Sequence, residues 1–195
     1  MQTILAADIG GTKSELAVFS LDSGRTQPLA QKKYSNSDFS QITEVIARFI
    51  KESELCPQTA CIAVAGVVSG RTAQMTNLPW EIDCDKLEKY FGFIKITLIN
   101  DLTALCSSLP FLGPEDLHTI QEGSSPGADV GGCIRGVVAP GTGLGEGLLV
   151  DVAGHYFAQG SEGGHTDFAP LDDEQLALFS WMHKQAQPVS YETLI

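Results

Sequence analysis

The chain has 195 residues, 43% of them hydrophobic, and carries 24 acidic against 12 basic side chains for a formal net charge of -12. That is enough apolar material for a core in one domain or two small ones, and the scattered Lys and Arg leave no basic surface for nucleic acid or an anionic membrane. No apolar run approaches bilayer-spanning length and the start MQTILAADIGG has no signal-peptide pattern, so a soluble cytoplasmic protein is expected.

The first element in the chain is a strand from Thr3 to Asp8, followed by Gly10 and Gly11 and a second, alternating strand from Glu15 to Phe19. This reads as a hairpin with the glycine pair at its turn. A polar break at Asp22, Ser23 and Gly24 leads to a third strand near Leu29 to Tyr34. Between Ser40 and Ser53, apolar residues at Ile42, Val45, Ile46, Phe49 and Ile50 mark one face of an amphipathic helix. Cys61 to Ala65 is a short continuous apolar run, expected of a strand buried on both faces, and Ile94 to Ile99 is a second such strand interrupted by Lys95 and Thr97. Asp83 to Phe91, with Leu87 and Tyr90 on one side, and Leu102 to Leu109 read as short helices. The five cysteines, at 56, 61, 84, 106 and 133, form no Cys-x-x-Cys pair, and reduced, mostly packed thiols are expected.

Residues 113 to 132 are rich in Gly, Pro, Ser and Asp, and a domain boundary is expected at their start, dividing the chain into α/β domains over 1–113 and 114–195. Ile134 to Ala139, the turn Pro140 to Gly145 and Gly147 to Val152 then repeat the opening plan of strand, glycine turn and strand. Such a duplication predicts an α/β protein of two similar domains with a cleft between them, the plan of the actin-like, ribonuclease-H-like ATPases.

Four groups of residues carry chemistry. In Asp8, Ile9, Gly10, Gly11, Thr12 and Lys13, glycines free the backbone to turn and to aim N–H groups at an anion, with a hydroxyl and an ammonium beside them. Alone, the segment is equally an ordinary tight hairpin, since it is neither a Walker loop nor GxGxxG. Gly141, Thr142, Gly143, Leu144 and Gly145 form a second glycine turn at the equivalent place, and a triphosphate needs donors from two such walls. Asn100 and Asp101 stand at the end of a buried strand, where ligands of open α/β sheets bind, although an Asp there also caps helices. In Glu162, Gly163, Gly164, His165, Thr166 and Asp167, Glu and His together supply acceptors and donors for several hydroxyls of a polyol. A metal pair is the weaker rival there, because Asp167 is the only further ligand type nearby. Whether Asp167 orders His165 or caps a helix stays open.

Six segments, DIGGTK, MTNLPW, INDLTA, PGTGLG, GSEGGHTDFAP and the terminal PVSYETLI, stand in the order and spacing of the bacterial ATP-dependent glucokinases, which the chain resembles over essentially its whole length. The resemblance implies that Asp101 is the base that takes the proton from the sugar C6 hydroxyl. It further implies that Asn100, Glu162, His165 and Glu192 bind glucose hydroxyls, with Asn77 lining the same site. Gly10, Gly11 and Thr12, with Gly141, Thr142 and Gly143, match the family's two ATP phosphate loops, and Asp8 matches a position near Mg2+, reached through water. Lys13 also fits the start of the ROK group of sugar kinases and repressors, but no cysteine follows His165 as that group's zinc motif requires.

In the resembling family the segment matching SYETLI is followed by the helices and glycine-rich segment that hold adenosine. The resemblance therefore reads this chain as the N-terminal portion of a longer enzyme, with a small first domain over 1–113 and an incomplete second one, the start of a larger domain, over 114–195, either a fragment or a piece completed by another copy or chain. An apolar sheet face left uncovered in this way favours a homodimer. A glucose-phosphorylating kinase using Mg-ATP ranks first, a non-catalytic sugar-sensing module second, and an unrelated actin-like ATPase third.

Overall fold

Apolar residues that alternate along the first two segments become β1 (Thr3–Ile9) and β2 (Lys13–Ser20), antiparallel in register from Thr3↔Ser20 to Ile9↔Ser14. The structure is a computed structural model that describes residues 2–22, 27–75, 78–122, 133–141, 143–185 and 188–195. β3 (Ala30–Ser35) pairs antiparallel with β2, and a one-turn 3-10 helix over Asn36–Asp38 follows. α1 (Ile42–Ser53) buries Ile42, Val45, Ile46 and Phe49 in the same core as Leu5, Ile9, Leu16 and Val18. It begins at Ile42 with Gln41 as its cap residue, and Glu44 in its first turn reaches back to accept from the Ser40 N–H at 2.8 Å and the Ser40 hydroxyl at 2.7 Å.

β4 (Thr59–Val64) joins β1 in parallel. β5 (Gly66–Ser69), β6 (Thr72–Met75) and β7 (Glu81–Asp83) then form a small antiparallel sheet that the sequence reading missed, since strands of three or four residues are too short to display a period. α2 (Cys84–Phe91) is capped by Asp83, whose side chain accepts from the Lys86 N–H at 3.1 Å, and ends at Gly92 with φ 74°. Its buried face is Cys84 and Leu87. Tyr90, expected beside Leu87, is 69% exposed and rests edge-on against Phe91. β8 (Lys95–Asn100) pairs in parallel with β4, completing a five-stranded sheet ordered β3-β2-β1-β4-β8.

The chain divides into two compact units, Met1–Asp101 and Leu102–Ile195. α3 (Asp101–Ser108) explains why the division falls ahead of the boundary expected near Gly113. Its side chains pack on the second sheet, which consists of β9 (Cys133–Pro140), β10 (Leu144–Val152) and β11 (His155–Ser161) in the order β11-β10-β9. A β-carbon added to Gly145 would lie 2.8 Å from Leu102 Cδ2, and one added to Gly147 would lie 2.5 Å from the Cys106 sulfur. These glycines let the helix sit directly on the strand, and the Gly160 N–H donates to Thr103 Oγ1 at 3.2 Å beside them. Residues 123–132, part of the loop read as a linker, lie outside the described residues. α4 (Asp173–Met182), capped by Asp172, and β11 are further elements that the sequence reading omitted.

Both units therefore open their sheets in the same way, as a three-strand antiparallel meander with a glycine turn between its first two strands. No disulfide joins the five cysteines. Cys84 and Cys106 are buried and Cys61 half-buried, whereas Cys56 and Cys133 are exposed, so packing of the thiols is less general than expected. No helix among the described residues is long and apolar enough to cross a membrane.

Gly147→Ala should lower the stability of the second unit by about 1–3 kcal/mol, the usual cost of overpacking. Chemical denaturation measures it, and an unchanged midpoint would contradict the close packing of α3 on β10.

Candidate functional site

Parallel pairing decides where the first unit gathers its polar residues. Ile9 pairs with Val64 and Val64 with Asn100, so β1, β4 and β8 finish together and Asp8, Asn100 and Asp101 stand at one carboxyl edge, the usual ligand edge of an open α/β sheet. Asp101 is the first residue of α3 rather than its cap. Asn100 Nδ2 donates to Asp101 Oδ1 at 2.9 Å and, at a long 3.4 Å, to the Gly66 carbonyl. These bonds orient the Asp101 carboxylate from its own neighbour.

Asp8 keeps solvent access as a residue, yet its carboxyl group is crowded enough that its pKa is raised above the ordinary 3.8. Desolvation is the largest cause, followed by the charges of Asp101 and Glu15, with Lys33 opposing. The edge thus concentrates negative charge, which a cation would relieve.

The turn beside Asp8 is held from below. Gly10 donates its N–H to the Lys13 carbonyl at 3.0 Å. Asn36, only 2% exposed, donates its backbone N–H to the Thr12 carbonyl at 2.9 Å and its Nδ2 to the Gly10 carbonyl at 2.9 Å. Its Oδ1 accepts from the fully buried Ser14 hydroxyl at 2.6 Å. Among the described residues, the N–H groups of Gly11 and Thr12 have no hydrogen-bond partner. Sequence reasoning missed Asn36 because Ser35, Asn36, Ser37 and Asp38 look like an ordinary polar turn. Only burial singles it out.

In the second unit, the one-turn 3-10 helix Gly163–His165 places His165 between two carboxylates. Its Nε2 lies 2.8 Å from Glu192 Oε1 and its Nδ1 3.3 Å from Glu162 Oε2. Glu192 also reaches the second glycine turn, where its Oε2 accepts from the Leu144 N–H at 3.0 Å and sits 2.5 Å from where a Gly143 β-carbon would be. Gly141 donates its N–H to the Gly143 carbonyl at 2.8 Å. Gly164 is equally confined, since a β-carbon there would collide with the Leu144 carbonyl.

The segments bearing His165 and Glu192 are zipped together by Phe168 N–H to Val189 O at 2.9 Å and Tyr191 N–H to Thr166 O at 3.2 Å. Asp167 sits within that zipper, bridged to Ser190. The partners of the His165 ring are Glu162 and Glu192, which answers the question the sequence left open about Asp167. The Leu144 N–H first, and His165 second, hold the Glu192 carboxyl below its ordinary value against partial burial.

Asn77 and Thr142 lie outside the described residues. Among the described residues, no three His, Cys, Asp or Glu side chains are grouped to hold a metal. A groove of about 350 Å³ lined by Ser40, Thr43, Trp80, Glu81 and Lys86 shares no lining residue with either group.

The profile of the protein family described as Glucokinase matches residues 5–195. A glucokinase of Nostoc punctiforme is 35% identical over 200 residues, covering all of this chain and 57% of its own length. One from Colwellia psychrerythraea is also 35% identical, covering 98% of this chain and 56% of its own. The crystal structure of a glucokinase from an Antarctic psychrotroph superposes with a TM-score of 0.81 at 29% identity, over 99% of this chain and 60% of that one. The chain thus spans somewhat more than half the length of these relatives.

The lowered Glu192 pKa gives a pH test. Stability from its ionised form is fully present above the ordinary value of 4.5 and is lost as the pH falls through the lower folded value. Glu192→Gln should therefore be less stable than the parent near neutral pH, with the gap closing in acid. Urea denaturation across that range measures it, and a gap independent of pH would contradict the assignment.

Proposed function

Because the chain belongs to the glucokinase family, we propose that the protein carrying it transfers the γ-phosphoryl group of Mg-ATP to the C6 hydroxyl of glucose, giving glucose 6-phosphate and ADP. The observation that carries this reading is the carboxyl edge of the first sheet, where Asp101 is oriented by Asn100 and stands in the electrostatic neighbourhood of Asp8. Asp101 is the proposed base. It takes the C6 hydroxyl proton as the sugar oxygen bonds to the γ-phosphorus and the bond to the β-phosphate oxygen breaks. Asn100, Glu162, His165, Glu192 and Asn77 are the proposed glucose ligands. The His165 ring, set between Glu162 and Glu192, offers donors and acceptors close together, which suits adjacent sugar hydroxyls.

For ATP, the proposed phosphate contacts are the turn Gly10, Gly11 and Thr12 and the turn Gly141, Thr142 and Gly143. The first is supported by the unpartnered N–H groups of Gly11 and Thr12 and by the Thr12 hydroxyl beside them. Asp8 is the proposed residue for Mg2+. A single carboxylate suits this ion, which keeps water and takes phosphate oxygens for the rest of its shell, and the Asp8 pKa, raised first by desolvation and then by the charges of Asp101 and Glu15, belongs to a carboxyl group that a cation would stabilise in its ionised form. When bound, the ion would screen phosphate charge; positioning and proton transfer fall to the residues above.

The finer fold reading is the actin-like, ribonuclease-H-like plan. It is supported by the order β3-β2-β1-β4-β8 with β2 alone reversed, and by the repeated meander. A homodimer is part of the proposal as well. Ile134, Val138, Leu148 and Phe157, all exposed on the sheet face opposite Leu149, give a second copy an apolar surface to cover. Sedimentation should show a dimer, and a monomer at every concentration would contradict it.

Asp101→Asn tests the chemistry. In the protein that phosphorylates glucose, the variant should bind glucose within a few-fold of the parent and lose roughly 10²- to 10⁴-fold in turnover, the usual worth of general-base help. A rate above about a tenth of the parent's would remove Asp101 from that role. Glu162→Gln should instead weaken glucose binding, and an unchanged sugar affinity would contradict its assignment.

A further inference from the structure

We infer that Asn36 is a positioning residue for the nucleotide phosphates, acting through the backbone of the turn between β1 and β2; this rests on the reading that this turn binds phosphate. Two adjacent glycines make that turn the part of the hairpin with the most backbone freedom to lose on ordering. Phosphate binding needs the opposite property, N–H groups already fixed in direction before the anion arrives.

Asn36 supplies that restraint. Three of its groups are engaged at once: its backbone N–H on the Thr12 carbonyl, its Nδ2 on the Gly10 carbonyl and its Oδ1 on the Ser14 hydroxyl. The carbonyls on both sides of Gly11 are thereby drawn toward the protein interior, and the Gly11 and Thr12 N–H groups are the ones left unpartnered among the described residues. The side chain is 2% exposed and Ser14 fully buried, so water competes poorly for these bonds. An asparagine is well suited to the place, because donor and acceptor lie on one short side chain and neither brings charge beside Asp8. A glutamine would be a methylene too long, and an aspartate would set a carboxylate against the Gly10 carbonyl.

The test compares Asn36→Ser, which cannot span both Gly10 and Ser14, with Tyr34→Phe. Tyr34 is a buried neighbour whose hydroxyl bonds Glu52 at 2.7 Å, away from the turn. Both variants should lose thermal stability. Only Asn36→Ser should weaken Mg-ATP binding, by on the order of 10-fold, the equivalent of one lost well-oriented hydrogen bond, while glucose affinity stays within about twofold. Calorimetry on the protein that phosphorylates glucose reads both affinities, and amide NMR reads the Gly11 and Thr12 N–H signals. If those two signals move when Mg-ATP is added but Asn36→Ser binds it as tightly as the parent, the positioning role is overturned and the phosphate reading stands. If they do not move in the parent, the phosphate reading fails and the inference fails with it. Equal loss of Mg-ATP affinity in Tyr34→Phe would reduce Asn36 to a structural residue and also overturn the inference.

Discussion

The arrangement depends first on the parallel pairing of β1 with β4 and of β4 with β8. A parallel ladder brings strand ends together at one edge. Here that edge collects Asp8 from β1, Asn100 from the end of β8 and Asp101 from the start of α3, with Asp8 far from the other two in the chain. Shifting either register by one residue would turn the side chains to the opposite face, and the buried alternation of Leu5, Ala7 and Ile9 opposes such a slip. The core thus fixes which acids meet. The raised pKa of Asp8 follows first from its desolvation at this edge and then from the nearby charges of Asp101 and Glu15.

Glycine serves two physical ends in the chain. At Gly10, where a β-carbon would lie 3.1 Å from the Lys13 carbonyl oxygen, it permits the close approach of a turn that the buried Asn36 then restrains. At Gly145 and Gly147 within β10 the absent side chains leave space on one face of the strand for Leu102 and Cys106, and at Gly143, just ahead of it, for Glu192. The sequence pattern GTGLG reads most simply as a phosphate loop. Its geometry shows that at least part of the glycine requirement comes from packing, because a helix lies directly on the strand and a carboxylate fills the space beside Gly143. The proposed phosphate role of this second turn is therefore supported by less geometry than that of the first.

Much of this could be read from the chain. Long periodic segments such as Thr3–Ile9 and Ile42–Ser53 announce themselves, because a strand or helix of that length repeats its apolar side often enough to reveal the period. Asp8, Asn100 and Asp101 were visible as polar residues at strand ends. The sheet of β5, β6 and β7 was not, being too short for a period, nor was α4, whose apolar residues Leu176, Leu178 and Trp181 follow no single face and remain exposed. Asn36 and Glu192 escaped for a different reason. Both are ordinary polar residues locally, and their bonds to Gly10 and Leu144 are made across long separations in sequence that only the folded chain closes. Glu192 entered the sequence reading through family resemblance alone.

The central proposal is that this polar edge and the Glu162, His165 and Glu192 group bind glucose for phosphorylation. Calorimetric titration with glucose of the protein that carries this chain tests it most directly, because sugar binding involves no chemistry and no nucleotide. The account predicts saturable binding at one site per chain that is weakened in Glu162→Gln. Absence of any glucose heat from a chain that circular dichroism shows to be folded would contradict it.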